Sequence, residues 1–368
     1  MYIKRLELRD FRNYEYLDIE PCEKVNLILG KNAQGKTNLL EALYMSAIGR
    51  SFRTSKESEL IKFGSQSGKI KVCAVKNYLD VSVEIILNRK GISSSEKFVK
   101  KDGKSLNRAS QLIDNILIVI FSPEDLKIVK DEPEKRRRFI NRELVQISHS
   151  YYEKFTGYCR ILAQRNAFLK GECQDKDMLD LWDTQLAEYG SYVIKMRADF
   201  IRKISGYSAK IHSGITAGAE SLEIKYEPDL NEESDREKQK KEFYDALKKA
   251  HTSDMRNRTT SVGPHRDDIG FFVNGLDMRS FGSQGQQRTC ALSLKLAEID
   301  LIKEEMEEDA VLLLDDVMSE LDADRQEYLI STMKGRQMFI TTTDIDESLK
   351  EKFSEASVFY INNGSIDG

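Results

Sequence analysis

The segment with the clearest chemistry is Gly30-Lys31-Asn32-Ala33-Gln34-Gly35-Lys36-Thr37, which follows the apolar run "VNLIL" and precedes "NLLEAL". A glycine-rich loop between a strand and a helix lets backbone N–H groups turn inward around phosphate oxygens, and the helix N-terminus adds positive potential. Lys36 is expected to reach the outer phosphates of ATP and to share in catalysis. The Thr37 hydroxyl is expected to bind Mg²⁺. The whole of Gly30 to Thr37 is thus the expected ATP-binding loop.

A second signal is "AVLLLDDV", an apolar run that ends on Asp315 and Asp316. A buried parallel strand places such carboxylates at the sheet's C-terminal edge, where nucleotide sites form. Asp315 is expected to hold Mg²⁺ through water, and Asp316 to orient or deprotonate the attacking water.

Between these two lies Ser283-Gln284-Gly285-Gln286, ahead of a helix whose apolar face is Leu292, Leu296, Ile299 and Ile302. The free N–H groups of a helix start suit an anion, although a plain N-cap would use the same residues. The Ser-x-Gly-Gln pattern resembles the signature of ABC-class ATPases. That resemblance implies that Ser283, Gly285 and Gln286 complete the nucleotide site of a partner subunit. Ser319 and Asp322, in "SELD", stand where the class places the loop that crosses to the partner.

These groups need a scaffold. Tyr2 to Phe11 alternate in polarity, and Lys69 to Leu106 stay strand-like with a hairpin signal at Asp102-Gly103. After Pro123, apolar residues recur at helical spacing from Ile140 through Leu144, Ile147, Tyr151, Phe155 and Tyr158 to Leu162, and again from Trp182 to Ile204. Two long helices joined by a polar turn at 171–177 predict an antiparallel hairpin, and the charged segment that begins at Asn231 continues the helical character. Strand patterning returns at "DDIGFFVNGLDM", with a turn at Asn274-Gly275, and again at "AVLLLDD", "QMFITTT" and "SVFYIN". A helix is expected near Arg325 to Met333.

The expected class is α/β. Residues 1–122 and 256–368 form an ABC-type P-loop ATPase head with an N-terminal β-rich subdomain, and residues 123–255 an inserted α-helical arm.

Composition bounds the rest. With 368 residues, 40% hydrophobic content and a net charge of −4, the chain reads as a globular protein of about two domains, in which nucleic-acid binding requires a local basic patch. Five scattered cysteines without CxxC pairs read as reduced thiols rather than a zinc site. The start "MYIKRLELRDF" lacks a signal-peptide pattern, and "ILIVIF" is far shorter than the roughly 20 apolar residues that span a bilayer. A cytoplasmic protein is expected.

Taken together, "GKNAQGKTNLLEAL", "FSPEDLKIVKDEPEKRRRFIN", "GPHRDD", "SQGQQRT" and "LLLDDVMSELD" resemble the RecF family of bacterial DNA-repair ATPases from end to end. "FRNY" and "GRSFRT" fall where that family has them. The resemblance implies a head like that of SMC proteins with a short helical arm, a homodimer joined through ATP, and DNA bound at single-strand gaps and junctions. It further implies work with RecR and RecO to help load RecA and to support the SOS response.

Two departures from the transporter pattern stand out. Asp316 replaces the usual Glu, which predicts slow hydrolysis, and Thr341, Thr342 and Thr343 stand where a His would contact the outer phosphate. Which threonine takes that place stays open. The DNA-contact candidates are Arg50, Arg53, Lys100, Lys101, Lys104, Arg108, Lys135 and Arg136, with Arg137 and Arg138 in the same run. His265 in "GPHRDD" reads as a ligand, a base or a packed residue. A transporter ATPase subunit, an SMC-like chromosome-organising protein and a nuclease-linked ATPase are the rival readings.

Overall fold

The alternating segment Tyr2–Phe11 (β1) buries Ile3, Leu6, Leu8 and Phe11. In the computed structural model, which describes residues 1–91, 94–107, 109–171, 175–233, 235–343, 353 and 355–367, β1 pairs antiparallel with Tyr14–Ile19 (β2). Val25–Leu29 (β3) leads into the helix Lys36–Ile48 (α1). Ser67–Lys76 (β4), Leu79–Arg89 (β5), Ser95–Lys101 (β6) and Lys104–Ser105 (β7) extend the first sheet in the order β2-β1-β4-β5-β6-β7. Asp102 and Gly103, with φ of 50° and 76°, make the expected tight turn between β6 and β7. Ile118–Phe121 (β8), wholly buried, closes this part of the chain.

Residues 127–297 form a separate compact unit. It holds Pro133–Ile147 (α2), His149–Lys170 (α3), Lys176–Ile215 (α4), Leu222–Glu227 (β9), Arg236–Asn257 (α5), Asp268–Val273 (β10), Leu276–Asp277 (β11), Met278–Phe281 (α6) and the start of Gln284–Met306 (α7). The apolar register from Ile140 to Leu162 passes through two helices rather than one. Ser148 turns extended, at φ −143° and ψ 104°, and its hydroxyl accepts from the Tyr151 amide at 3.1 Å to start α3. Ion pairing and hydrogen bonding match Arg165 with Asp183 and Arg197 with Tyr151, the descending register of an antiparallel helix pair. Residues 172–174 of the expected turn lie outside the described residues.

The sequence reading does not anticipate β9. It pairs with β10 from Leu222↔Val273 to Glu227↔Asp268, and this ladder ties the segment after residue 255 to the helices. The boundary expected between 255 and 256 therefore moves to 297/298.

The remaining strands belong to the unit formed by 1–126 and 298–368. Val311–Asp315 (β12), the helix Ala323–Met333 (α8), Met338–Thr342 (β13), Ser357–Asn362 (β14) and Ser365–Asp367 (β15) complete a second sheet, in the order β15-β14-β3-β13-β12-β8. All but β15 run parallel. α1 is buried on every side from Leu39 to Ala47, as a helix covered on both faces must be. Its Leu39, Leu40 and Leu43 join β1, β4 and β5 to β8, β12 and β13 in one core.

Cys22, Cys73, Cys159 and Cys290 are free thiols, and Cys173 lies outside the described residues. No helix among the described residues is long and apolar enough to cross a membrane.

Candidate nucleotide site

The loop after β3 is shaped by positions that reject a side chain. Gly35 has φ 118°, and a Cβ there would sit 2.6 Å from Asn13 Nδ2. Lys36 is buried, and its ammonium donates to the carbonyls of Gly30 at 2.6 Å and Lys31 at 3.2 Å. The sequence-expected residues 30–37 thus form one strand-loop-helix turn, with the lysine folded over it.

β12 delivers Asp315 to the same place. Thr37 Oγ1 donates to Asp315 Oδ1 at 2.9 Å, and Thr341 Oγ1 stands 3.0 Å from the same oxygen. Burial pushes the Asp315 carboxyl upward from its ordinary value, and the two hydroxyls work against that rise. Asp316 sits at φ 51°, and its amide donates to Thr341 Oγ1 at 2.9 Å. Burial raises the Asp316 carboxyl as well, while the Lys36 charge opposes it. Of the three threonines, Thr341 is the one sealed against the carboxylates. Thr342 and Thr343 line a cavity of about 220 Å³ together with Asn32, Asp316, Met318, Ser319 and Thr341.

Among the described residues no group of three or more His, Cys, Asp or Glu is placed to hold a metal ion. One hydroxyl and one carboxylate suit Mg²⁺, which takes its remaining oxygens from phosphate and water. The donor set therefore fits the expected ion.

Two supports surround the loop. Asn13 Nδ2 donates to the Gln34 carbonyl at 2.7 Å, Asn13 Oδ1 accepts from Asn38 at 2.8 Å, and the Tyr14 hydroxyl donates to the Gly35 carbonyl at 2.9 Å. From the other side, the β14–β15 turn donates the Gly364 amide to Gln34 O at 3.1 Å and the Asn363 amide to Gln34 Oε1 at 2.6 Å. The sequence reading noted "FRNY" without a role and did not find this turn. Arg12 forms a two-pronged pair with the fully buried Glu41, at 2.8 Å on each oxygen.

In the second unit, Ser283 and Gln286 cap the start of α7 reciprocally. The Gln286 amide donates to Ser283 Oγ at 3.2 Å, and the Ser283 amide donates to Gln286 Oε1 at 3.1 Å. Ser283 remains exposed and Gly285 half-buried. In the first unit, Ser319 donates to the Asp316 carbonyl at 2.8 Å, and Asp322 caps α8 by accepting from the Arg325 amide at 3.0 Å.

The basic candidates separate by environment. Arg136 is fully buried. Its guanidinium clamps Asp268 at 2.6 and 2.8 Å and donates to the Ile128 carbonyl, so its assignment to DNA contact is corrected: no phosphate can reach it. Arg53 donates to Asn38 at 2.7 Å and lies 3.6 Å from Glu41. Lys100 pairs with Glu84 at 3.1 Å and Lys135 with Asp131 at 3.0 Å. Arg50 and Lys104 are exposed, Lys101 is half-buried, and Arg108 lies outside the described residues. His265 accepts from Tyr158 at 2.6 Å through Nδ1 and donates to the Thr260 carbonyl at 3.0 Å through Nε2. With both nitrogens engaged it is a packing residue rather than a base.

The sequence profile of the RecF/RecN/SMC N terminal domain family matches residues 2–366. The chain is 43% identical over 370 residues to the "DNA replication and repair protein RecF" of Agathobacter rectalis, covering 100% of this chain and 99% of that one. The "recombination mediator protein RecF-ATPrS in RecFOR pathway" superposes with a TM-score of 0.92 at 37% identity, and its "RecF-ATP" counterpart with 0.90 at 36%. Both matches cover 100% of this chain and 97% of the solved one. Its ABC-type head, its end-to-end identity to curated relatives and its superposition on solved relatives agree: the chain belongs to the RecF family.

Proposed function

We propose that the chain is an ATP-driven DNA clamp of recombinational repair and replication, with a weak, DNA-stimulated ATPase activity that serves as a switch. The observation that carries this reading is the meeting of Thr37 and Asp315 beneath the Gly30–Thr37 loop, with Asp316 on the adjoining cavity. The loop amides and Lys36 would hold the phosphates, and Thr37 and Asp315 would hold Mg²⁺. Bound there, Mg²⁺ neutralises charge on the phosphates. Asp316 would accept a proton from the attacking water, and its burial raises its affinity for that proton.

Ser283, Gly285 and Gln286 of a second copy would close the site, while Ser319 and Asp322 line the crossing between subunits. ATP would thereby join two copies, and hydrolysis would part them. The DNA would be single-stranded, gapped or a junction. Contact with RecR and RecO is supported by relatives described as acting in the RecFOR pathway, and help in loading RecA is what the family resemblance adds. Arg50, Lys101 and Lys104 remain the basic side chains best placed for phosphate contact, with Lys100, Lys135 and Arg53 behind them because each already has a partner.

The test is binding to single-stranded, duplex and gapped DNA, with and without ATP and across salt concentrations, for the unmodified protein and Lys36→Ala. ATP should tighten binding in the former alone. Equal affinity with and without ATP would remove the clamp.

A further inference from the structure

The start of α7 is tied to the arm by a chain of side chains to which no role has yet been given. Gln286 uses its carbonyl oxygen in the capping box, which leaves its amide nitrogen to donate to Glu220 Oε1 at 2.8 Å. The other oxygen of Glu220 faces His212 Nε2 at 3.0 Å. His212 lies in the last turn of α4 and is fully buried. Its Nδ1 is 3.1 Å from Ser293 Oγ, which also lies 2.7 Å from the Thr289 carbonyl oxygen. A carboxylate oxygen can only accept, so His212 donates to Glu220 through Nε2; burial lowers the ring's hold on a second proton, and Nδ1 accepts from the Ser293 hydroxyl.

Every link is made in one fixed sense, so the position of Gln286 depends on the position of the α4 terminus. Glu220 itself is held at both ends. Its amide donates to Thr216 Oγ1 at 3.4 Å, and the next residue, Ser221, exchanges hydrogen bonds with Asn274 at 2.9 and 3.0 Å. Cys290, one turn beyond Gln286 on α7, is a second titratable group near Glu220. Burial and then the Glu220 charge push its thiol up to about 12, so it stays neutral and does not compete for the imidazole.

We infer that Glu220 and His212 are positioning residues for the signature, a buried relay that lets the long arm helix α4 set the Gln286 side chain and, with it, the first turn of α7. Neither residue touches nucleotide. They act through Gln286, and a force on the arm, such as that of bound DNA or protein, changes how well the signature engages a second subunit. This inference rests on the trans-acting role of Ser283, Gly285 and Gln286 proposed above.

The experiment compares Glu220→Ala, Glu220→Gln, His212→Ala and Ser283→Arg by two readouts: nucleotide affinity of the dilute subunit, and the ATP-dependent dimer constant from sedimentation. Glu220→Ala and His212→Ala should weaken dimerisation about tenfold while nucleotide affinity stays within about twofold. Glu220→Gln should dimerise like the unmodified protein, because its amide oxygen still accepts from Gln286 and its nitrogen can donate to His212 Nε2 once the ring carries its proton on Nδ1, toward a Ser293 hydroxyl that donates to the Thr289 carbonyl. A variant carrying both Glu220→Ala and His212→Ala should be no weaker than the worse single one. Alanine variants that dimerise normally while Ser283→Arg does not would overturn the relay and leave the signature's role intact. Normal dimerisation of Ser283→Arg would overturn both. Should the alanine variants fail to fold, ring-nitrogen NMR of the unmodified protein decides, since the chain has only 4 histidines. The His212 signals should shift on ATP-driven dimerisation, and unmoved signals would refute the relay.

Discussion

Thr341 Oγ1 lies 3.0 Å from Asp315 Oδ1 and at the same time receives the Asp316 amide at 2.9 Å. One buried hydroxyl thus fixes both acidic residues. Thr341→Val keeps the shape and removes the hydroxyl. It should lower ATP turnover about 10- to 100-fold with a smaller change in ATP affinity, since an unpaired buried amide shifts the carboxylates by costing about 1–3 kcal/mol. Thr341→Ser should retain most activity. Single-turnover rates at saturating ATP would check this, and an unaffected Thr341→Val would show that Asp316 needs no such anchor.

The buried carboxyls at 315 and 316 make a prediction about pH. Burial holds both above the ordinary value of 3.8 in the folded chain. A folded state that takes up protons before the unfolded one gains stability as pH falls through the folded pKa toward the unfolded one. At neutral pH the charged Asp316 is therefore destabilising. Asp316→Asn should raise the melting temperature by about 1–3 °C at pH 7, and that advantage should shrink as the pH falls below the folded pKa. Turnover of the same variant should collapse. A melting temperature that is lower at pH 7 would contradict the assignment.

The β14–β15 turn can be probed from outside the loop. Gly364 has φ 77°, and a Cβ would come 2.3 Å from the Asn13 carbonyl oxygen. Gly364→Ala should destabilise by about 1–3 kcal/mol and weaken nucleotide binding, because Asn13 and Gln34 move with it. Urea unfolding and nucleotide titration of that variant would show the two effects together. Weaker stability with unchanged nucleotide affinity would uncouple the turn from the loop.

In the other unit, Arg165 is fully buried between Asp183 at 2.8 Å and Asp254 at 2.7 Å. Arg165→Met removes the cation that two buried carboxylates share, leaving Asp183 with His251 and Asp254 with the neutral donors of Ser261, and should cost about 3–5 kcal/mol. Calorimetry should show the loss in the transition of the helical unit, and a variant as stable as the parent would mean that the helices relax to admit water.

The parts of the site that were legible in the sequence are those in which chemistry demands a residue type at a spacing. Gly30, Gly35, Lys36, Thr37 and Asp315, which the structure brings together, could be read because few other residues do what they do. Local apolar pattern also gave most strands and most helices. It failed where burial depends on distant partners. The run Lys135 to Arg138 reads as uniformly basic, yet a helix turns Arg136 inward beside Phe139 and Ile140 while Arg138 faces solvent. The break at Ser148 is invisible because the apolar spacing continues across it. β9 escaped because a six-residue strand amid charged segments gains its meaning only from β10, its partner in the ladder. Glu220 and His212 carry no motif at all, and only the fold brings them to Gln286.

The two strands that flank β3 are β13 and β14, and the turn that pins Gln34 comes after them at Asn363 and Gly364. During synthesis the phosphate loop emerges first and its walls last. A nascent chain that ends before Met338 has a complete motif without its walls, so nucleotide capture becomes a report that β13, β14 and the turn after them have been made.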